Sequence, residues 1–379
     1  MKKILFLTGT RADFGKLKSL ISKVESHPHF EAYVFITGMH MMAKYGMTAR
    51  EVEKAGFTNL YTYINQNSYD SMDITLAKTI QGLSDYVAET SPDMIVVHGD
   101  RVEAMAGAIV GALNNILVAH VEGGEVSGTI DELIRHSVSK MSHIHFVSNQ
   151  TAKSRLIQLG ETESSIYTIG SPDLDIMTSP DLPSLSAVKE RYEIGFDAYA
   201  VFMYHPVTTE LDKLRTHISS TVDALLDSDE NYVIIFPNND SGSEIIIEEL
   251  ERLKGHSRFK IYPSIRFEHF LTLLKNADFM IGNSSAGVRE VPFYGKPSIN
   301  LGTRQDKRAN ACSIFNVAEE KNSILKAIDK AKKAQFTPVK EFGLGNSDRF
   351  FLQALESDAI WCISKQKVFV DLCRDTKSV

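Results

Sequence analysis

The sequence predicts an α/β protein made of two doubly wound, Rossmann-like halves, each built on a parallel sheet. Three observations predict this class. Short apolar runs alternate with helical patterns over the first half, a Pro/Ser-rich stretch follows at 179–184, and the same alternation then restarts. Short apolar runs bounded by turn residues are typical of buried parallel strands, and their alternation with helices indicates βαβ units. Two such halves imply an inter-domain cleft in which a ligand can bind.

The individual elements follow from the same patterns. In the first half we expect strands at 3–8, 32–37, 94–97, 117–120 and 145–148, and helices at about 14–25, 72–89, 103–113, 131–142 and 150–159. Beyond the linker we expect strands at 199–204, 232–236, 260–262, 279–281 and 297–300. A last helical segment, about 349–373, contains the only tryptophan, Trp361. We therefore predict a first domain at 1–178, a second at 179–350, and a C-terminal helix within 351–379 that packs back towards the first.

Composition narrows the class of function. The chain has 379 residues, 43% hydrophobic and 23% charged, which is ordinary for a globular protein of two domains. Its net charge of −7 argues against a nucleic acid or an anionic membrane as the main partner, but allows a local basic pocket for one phosphorylated ligand. No apolar run is as long as a membrane span requires, and the three cysteines are too far apart to suggest a metal or disulfide framework. We expect a cytoplasmic protein without a metal site.

Three acids follow apolar runs in the first half and are the main candidates for chemistry. Asp100 and Glu122 each stand just beyond a predicted strand, and Asp131 opens the next predicted helix. Ligands of open α/β sheets bind beyond the carboxyl ends of the strands, where clustered carboxylates push one another's pKa values apart. Such a cluster can hold both an acid and a base near neutral pH. Two other interpretations remain open, namely metal binding by hard oxygen ligands and, for Asp131, helix capping.

Two loops are candidates for binding phosphate. The loop 8–16 joins the first strand to a helix and contains Arg11 and Lys16, whose charges would assist anion binding there. It lacks the G-x-G-x-x-G pattern, so a dinucleotide site is disfavoured, and an ordinary βα turn is the alternative.

The loop 282–290 also follows an apolar strand and is expected to open a helix. Its serines Ser284 and Ser285 can donate to phosphate, Gly287 permits close backbone approach, and Glu290 can accept both hydroxyls of a ribose. A capped helix start is the alternative, because serine is favoured there in any case. His205, at the end of another predicted strand, can donate a proton or hydrogen bond to a leaving phosphate, although a lone histidine is more often structural.

Taken together, the chain resembles the UDP-N-acetylglucosamine 2-epimerase family, and its hydrolysing branch in particular. The resemblance covers about residues 2–308 and rests on long motifs: TGTRADFGK at 8–16, HGDR at 98–101, HVEGGEVSGTID at 120–131, IRH at 134–136, HPVTTE at 205–210, FPNNDSGS at 236–243, GNSSAGVRE at 282–290 and GTRQ at 302–305. It implies the GT-B architecture, in which two Rossmann-like domains hold a nucleotide-sugar between them. It also implies a homodimer or homotetramer and no cofactor.

The reaction implied is the conversion of UDP-N-acetylglucosamine and water to N-acetylmannosamine and UDP, the first step of sialic acid synthesis. By position in the motifs, Asp100, Glu122 and Asp131 would be the acid/base set, with the individual protons unassigned, and His205 would assist the departure of UDP. Among the substrate-binding residues, Arg11 would neutralise diphosphate charge, the two serines would hold the phosphates and Glu290 the ribose; Lys16 and Gly287 complete that group.

Three other functions stay open. A hydrolysing 2-epimerase of UDP-N,N′-diacetylbacillosamine, on the way to legionaminic acid, would need nearly the same motifs. A GT-B glycosyltransferase would need an acceptor pocket but no trio of carboxylates around C2. A nucleotide-sugar binding module without turnover would have no use for those acids either.

Overall fold

A computed structural model describes residues 1–67, 69–127, 130–306, 308 and 311–371. These residues form two parallel β-sheets, one in each half of the chain. The strands of the first sheet are β1 (Lys2–Thr8), β2 (Phe30–Ile36), β3 (Asn59–Thr62), β4 (Met94–His98), β5 (Leu117–Val121), β6 (Ile144–Val147) and β7 (Ile166–Thr168). Those of the second are β8 (Ala200–Met203), β9 (Tyr232–Ile235), β10 (Phe259–Tyr262), β11 (Met280–Gly282), β12 (Ser298–Leu301) and β13 (Ile314–Val317).

Helices connect the strands in both halves. The helices of the first half are α1 (Arg11–Glu25), α2 (Ala49–Lys54), α3 (Met72–Thr90), α4 (Val102–Leu113), α5 (Ile130–Met141), α6 (Gln150–Gln158) and α7 (Asp173–Met177). Those of the second half are α8 (Leu185–Arg191), α9 (Leu211–Asp227), α10 (Ser243–Leu250), α11 (Phe267–Asn276), α12 (Glu290–Phe293) and α13 (Lys321–Lys333). They are followed along the chain by α14 (Ser347–Glu356) and α15 (Asp358–Trp361). Short 3₁₀ helices lie at Gly38–Met41, Ala43–Tyr45, Glu163–Ser165, Glu251–Leu253 and Ser285–Gly287. In the described part of the chain, no helix has the length and apolar character needed to cross a membrane.

The two sheets share one topology. The strand order is β3-β2-β1-β4-β5-β6-β7 in the first and β10-β9-β8-β11-β12-β13 in the second. In each sheet the order reverses beside the first strand, between β1 and β4 or between β8 and β11. Loops that leave the carboxyl ends of such a pair diverge and open a crevice, which is where ligands of these folds bind.

Each sheet is buried on both faces, as expected for parallel strands covered by helices. In β1, Ile4 and Phe6 pack into one apolar cluster while Leu5 and Leu7 pack into another on the opposite face. Helix α1 then starts with a capping box, in which the Thr10 side chain accepts from the Asp13 backbone N–H and the Asp13 carboxylate accepts from Thr10. The apolar run of β1 and this capped start place the loop between them at the carboxyl edge of the sheet.

The predicted α/β class and the ten predicted strands are confirmed, with ends shifted by one or two residues. Three strands were not predicted: β3, β7 and β13, all at sheet edges. Edge strands need only one covered flank, so they lack the continuous apolar run that marks a central strand.

The C-terminal segment differs from its prediction. A helix over about 349–373 is wrong in its second half, because α14 ends at Glu356, α15 ends at Trp361, and residues 362–371 are not helical. Tertiary contacts hold this tail instead: the Lys367 ammonium lies 2.5 Å from both the Ser142 carbonyl and the Glu161 carboxylate. Helix α14 packs on the first sheet, where the Phe351 ring lies 4.7 Å from that of Phe146. The domain limits at 178/179 and 350/351 stay predictions.

Candidate functional site

The carboxyl ends of both sheets face one cavity of about 280 Å³ between the halves. Its lining includes nine of the ten residues predicted for the site: Arg11, Lys16, Asp100, Glu122, Asp131, His205, Ser284, Ser285 and Glu290. The tenth, Gly287, is not among the lining residues. Direct contacts join the halves around the cavity, since Arg101 donates to Asn239 at 2.7 Å and Arg11 donates to Ser264 at 2.8 Å.

Asp100 is held by a buried arginine. It lies just beyond β4, and its carboxylate accepts a hydrogen bond from Arg135 on α5. Burial alone would raise the pKa of Asp100, but the charges of Arg135, Arg308 and Arg304 outweigh it and lower the pKa to about 2. Asp100 is therefore ionised at neutral pH.

Asp131 has the opposite electrostatic character. It lies in the first turn of α5 and pairs with Arg304 of the second half at 3.0 Å. Burial raises its pKa, the nearby charge of Asp100 raises it further, and Arg304 opposes both. The two aspartates thus differ in proton affinity, as the prediction of an acid and a base in one cluster requires.

Glu122 is the third acid, and its backbone is strained. It follows β5 with φ of 66°, a left-handed conformation that costs a non-glycine residue about 1 kcal/mol or more. Its backbone N–H donates to the Phe146 carbonyl at 2.9 Å, and its own carbonyl accepts from Arg135 at 2.7 Å. Backbone strain held by buried contacts is typical of functional positions.

The Glu122 carboxylate is surrounded by basic side chains. Its two oxygens lie 3.1 Å from His98 Nε2, 2.7 Å from Arg289 Nη2 and 3.7 Å from Lys16 Nζ. Burial alone would raise the pKa of Glu122, but these neighbours, led by the charge of Arg289 and then that of Lys16, hold it well below its usual range. Glu122 is therefore ionised in this arrangement.

His205 follows β8 and is fixed in one tautomer. Its Nδ1 accepts a hydrogen bond from the Asn238 backbone N–H at 3.0 Å, so in the neutral ring Nε2 carries the proton. Burial, together with the charges of Arg304 and Arg101, holds the pKa of His205 well below its usual range. At neutral pH the ring can therefore donate a hydrogen bond from Nε2.

The two basic residues of the first loop have different surroundings. Arg11 pairs with Glu51 at 2.7 Å at the side of the cavity. Lys16 is buried, with Nζ 3.7 Å from Glu122, 3.6 Å from Asp173 and 4.0 Å from Glu290. Burial opposes its charge, but the carboxylates of Glu122, Asp173 and Glu290 together outweigh burial and raise the pKa of Lys16. The role of both residues in diphosphate binding stays a prediction.

The loop after β11 brings serines to the cavity, but the helix expected there is short. A 3₁₀ turn at Ser285–Gly287 precedes α12, so the loop does open a helix, but one of only four residues. Gly282 ends the strand with φ of 134°, and a Cβ there would lie 1.9 Å from the Met203 carbonyl. At Gly287 a Cβ would lie 2.7 Å from the Ser298 hydroxyl. In this structure both glycines permit tight backbone packing.

Sequence reasoning left several charged cavity residues without a role. Arg135, Arg304, Arg308 and Arg289 line the cavity, and Asp173 and Glu125 lie buried beside them. The arginines stand within or next to the motifs IRH, GTRQ and VRE, so their positions were visible in the sequence. Their partners were not, because most of these ion pairs join residues more than 100 positions apart.

Comparison with known proteins places this site in a family. The family described as UDP-N-acetylglucosamine 2-epimerase matches residues 22–356. This chain belongs to that family. It is 47% identical over 376 residues to a UDP-N-acetylglucosamine 2-epimerase of Neisseria meningitidis serogroup B, covering 98% of this chain and all of the relative. It is also 32% identical to a hydrolysing UDP-N,N′-diacetylbacillosamine 2-epimerase of Legionella pneumophila, covering 87% of this chain and 89% of that protein.

Solved structures of the family show the same fold. A Neisseria meningitidis UDP-GlcNAc 2-epimerase bound to UDP-GlcNAc superposes with a TM-score of 0.78 at 19% identity, over 93% of this chain and 99% of that one. A Staphylococcus aureus MnaA–UDP structure gives 0.77 at 19% identity, over 98% and 100%. The predicted GT-B architecture of two Rossmann-like domains is thereby confirmed.

Proposed function

We propose that this chain hydrolyses UDP-N-acetylglucosamine to UDP and N-acetylmannosamine, with inversion at C2. The observation that carries the proposal is the convergence of three carboxylates of unequal proton affinity and a neutral histidine on one inter-domain cavity. Membership of the family and the 47% identical relative named UDP-N-acetylglucosamine 2-epimerase support the substrate.

The reaction has two stages. In the first, a carboxylate of the acid set removes the proton at C2 while the C1–O bond to UDP breaks, which leaves 2-acetamidoglucal and UDP. In the second, water adds its hydroxyl at C1 and a proton returns to C2 from the opposite face. The acid set takes the proton lost from C2 and releases it to solvent as UDP departs. Water supplies the hydroxyl at C1, and its remaining proton passes to the acid set in place of the one delivered to C2.

The surroundings of each group suit these stages. Asp131, with its raised pKa, is the acid best suited to change protonation state near neutral pH, whereas Asp100 and Glu122 remain ionised. His205 donates from Nε2 to the departing diphosphate, where negative charge develops. Ser284, Ser285 and Arg11 would receive the phosphates.

Product analysis tests the proposal. Purified protein incubated with UDP-N-acetylglucosamine should release UDP and free N-acetylmannosamine. Formation of UDP-N-acetylmannosamine would instead indicate an epimerase that keeps the nucleotide attached to the sugar. If no product forms, the alternative of a nucleotide-sugar binding module without turnover remains.

A second candidate substrate is favoured by two relatives. The Legionella protein and a Campylobacter jejuni protein, each 32% identical, are named as hydrolysing 2-epimerases of N,N′-diacetylbacillosamine nucleotides. If this sugar is the substrate, UDP release from UDP-N,N′-diacetylbacillosamine should exceed that from UDP-N-acetylglucosamine at equal concentration. Pathway, cytoplasmic location and a dimeric or tetrameric state stay predictions with this proposal.

A further inference from the structure

Arg289 links the second half directly to the acid set through Glu122, as Arg304 does through Asp131. Arg289 stands between the loop after β11 and α12 in the second half, whereas Glu122 and Glu125 follow β5 in the first. Its Nη2 lies 2.7 Å from Glu122 Oε1 and its Nη1 lies 3.0 Å from Glu125 Oε2. The guanidinium therefore forks across two carboxylates of the opposite half, a geometry that fixes orientation as well as charge.

The backbone and side chain of Glu122 are held from different directions. First-half contacts fix its left-handed backbone, through the Phe146 carbonyl and the Arg135 side chain. Of the three basic side chains described around its carboxylate, Lys16 and His98 also belong to the first half. Arg289 is the one that comes from the second, so its contact depends on how the halves meet.

Arg289 is itself tightly fixed. Its side chain is only 3% exposed, it donates to the Ser171 hydroxyl, and its guanidinium carbon lies 5.0 Å from the centre of the Phe342 ring. The Ser171 hydroxyl in turn donates to Glu122 Oε1 at 2.7 Å, and the Ser171 backbone N–H donates to the Phe342 carbonyl at 2.7 Å. Ser171 follows β7 and Phe342 precedes α14, so Arg289 is clamped where the chain passes between the halves.

We propose that Arg289 is a positioning residue through which the meeting of the two halves fixes the Glu122 side chain in the acid set, an inference that rests on the proposed function. Without this contact the Glu122 carboxylate would keep only its first-half partners. The acid set is therefore complete where the two halves meet as they do in this structure.

The test compares Arg289→Gln and Arg289→Lys with a matched control, Lys44→Gln. Lys44 pairs with Glu244 across the same two halves, but at the surface and away from the acids. The quantities measured are the Kd of UDP by calorimetry, and kcat and KM for UDP release from UDP-N-acetylglucosamine. For Arg289→Gln we expect kcat to fall about 100-fold with the Kd of UDP within about threefold, partial recovery of kcat in Arg289→Lys, and changes under about twofold in Lys44→Gln.

The pH profile of kcat/KM separates positioning from a merely structural role. The titratable or charged groups facing Glu122 are Arg289, Lys16, His98, Arg135 and Asp173, and among the groups that lower its pKa Arg289 has the largest effect. Its removal should move the acid limb of the profile to higher pH, because Glu122 is then protonated more easily. An unmoved limb, or equal losses in kcat and UDP affinity, would overturn the proposal.

A variant that fails to fold and a failure of the proposed function give different results. If Arg289→Gln does not fold, Arg289→Lys decides the matter, since a lysine keeps the charge but cannot fork across two carboxylates; a kcat equal to that of the unaltered protein would then overturn the inference. If the unaltered protein itself releases no UDP from either sugar nucleotide, the proposed function fails, and this is seen before any variant is measured.

Discussion

The two halves of this molecule share a scaffold but place different chemical groups after corresponding strands. Strands β1, β4 and β5 of the first sheet correspond in order to β8, β11 and β12 of the second. After β4 and β5 stand Asp100 and Glu122, whereas after β11 and β12 stand Ser284 and Arg304. Corresponding positions therefore supply acids from one half and a hydroxyl or a cation from the other. The comparison teaches that topology sets where a site forms, and loop residues set what it does.

The largest effect is expected from removing an acid of the first half. Asp100→Asn keeps the shape of the side chain but removes the charge that pairs with Arg135. We expect kcat to fall by about 10²–10⁴-fold, the usual contribution of acid–base catalysis, while UDP still binds. UDP release and calorimetry check the two halves of this statement, and unimpaired turnover would remove Asp100 from the catalytic set.

A smaller loss of rate is expected at His205 in the second half. His205→Asn removes the Nε2–H donor, which should lower kcat by about 10²–10³-fold. Because burial holds the pKa of His205 well below its usual range, the ring should remain neutral around neutral pH. A pH profile of kcat in the unaltered protein is the measurement. A limb near neutral pH that disappears in His205→Asn would contradict this electrostatic account.

In the loop 282–290, which contains Ser284 and Ser285, a substitution should weaken UDP binding more than it lowers kcat, the reverse of what we expect at Asp100. Ser285→Ala removes a hydroxyl that we expect to donate to phosphate, so the Kd of UDP should rise about tenfold, equivalent to about 1.4 kcal/mol. The kcat at saturating substrate should change only a few-fold. Calorimetry with UDP checks this. If Ser285→Ala loses turnover but keeps its UDP affinity, the two halves do not divide binding and chemistry as we expect.

The smallest effect is expected where a second-half cation tunes a first-half acid. Arg304 pairs with Asp131 at 3.0 Å and opposes the rise in its pKa. In Arg304→Gln the pKa of Asp131 should rise further, because the opposing charge is gone. The limb of the kcat/KM profile that reports Asp131 should then move to higher pH by about one unit. Movement to lower pH would show that Arg304 does not act on this acid.

The sequence reveals most of the fold because buried parallel strands have a plain signature. The central strands β1, β4 and β5 are apolar runs covered on both faces, and each was predicted to within two residues. The edge strands β3 and β13 escaped prediction because they are only partly buried, and their pattern resembles a loop. The tail after Trp361 escaped for another reason, since its contacts with Ser142 and Glu161 are tertiary.

The candidate site likewise has a part that the sequence predicts and a part that it does not. Asp100, Glu122 and His205 were predicted because each follows a recognisable strand, and topology brings such ends together. The pairing of Arg289 with Glu122 could not be predicted, because it depends on how the two halves meet. The left-handed backbone of Glu122 could not be predicted either, because a glutamate rather than a glycine stands at that position. Local pattern thus identifies the groups, and the packing of the halves determines their charge states.

The most direct test of the proposed chemistry is proton exchange at C2. UDP-N-acetylglucosamine is incubated with the protein in D₂O, and the products are followed by proton NMR. If the acid set removes and returns a proton at C2, the N-acetylmannosamine released with UDP should carry deuterium at C2. Free sugar that retains its original C2 proton would contradict elimination and re-addition, and with it the role given to the three carboxylates.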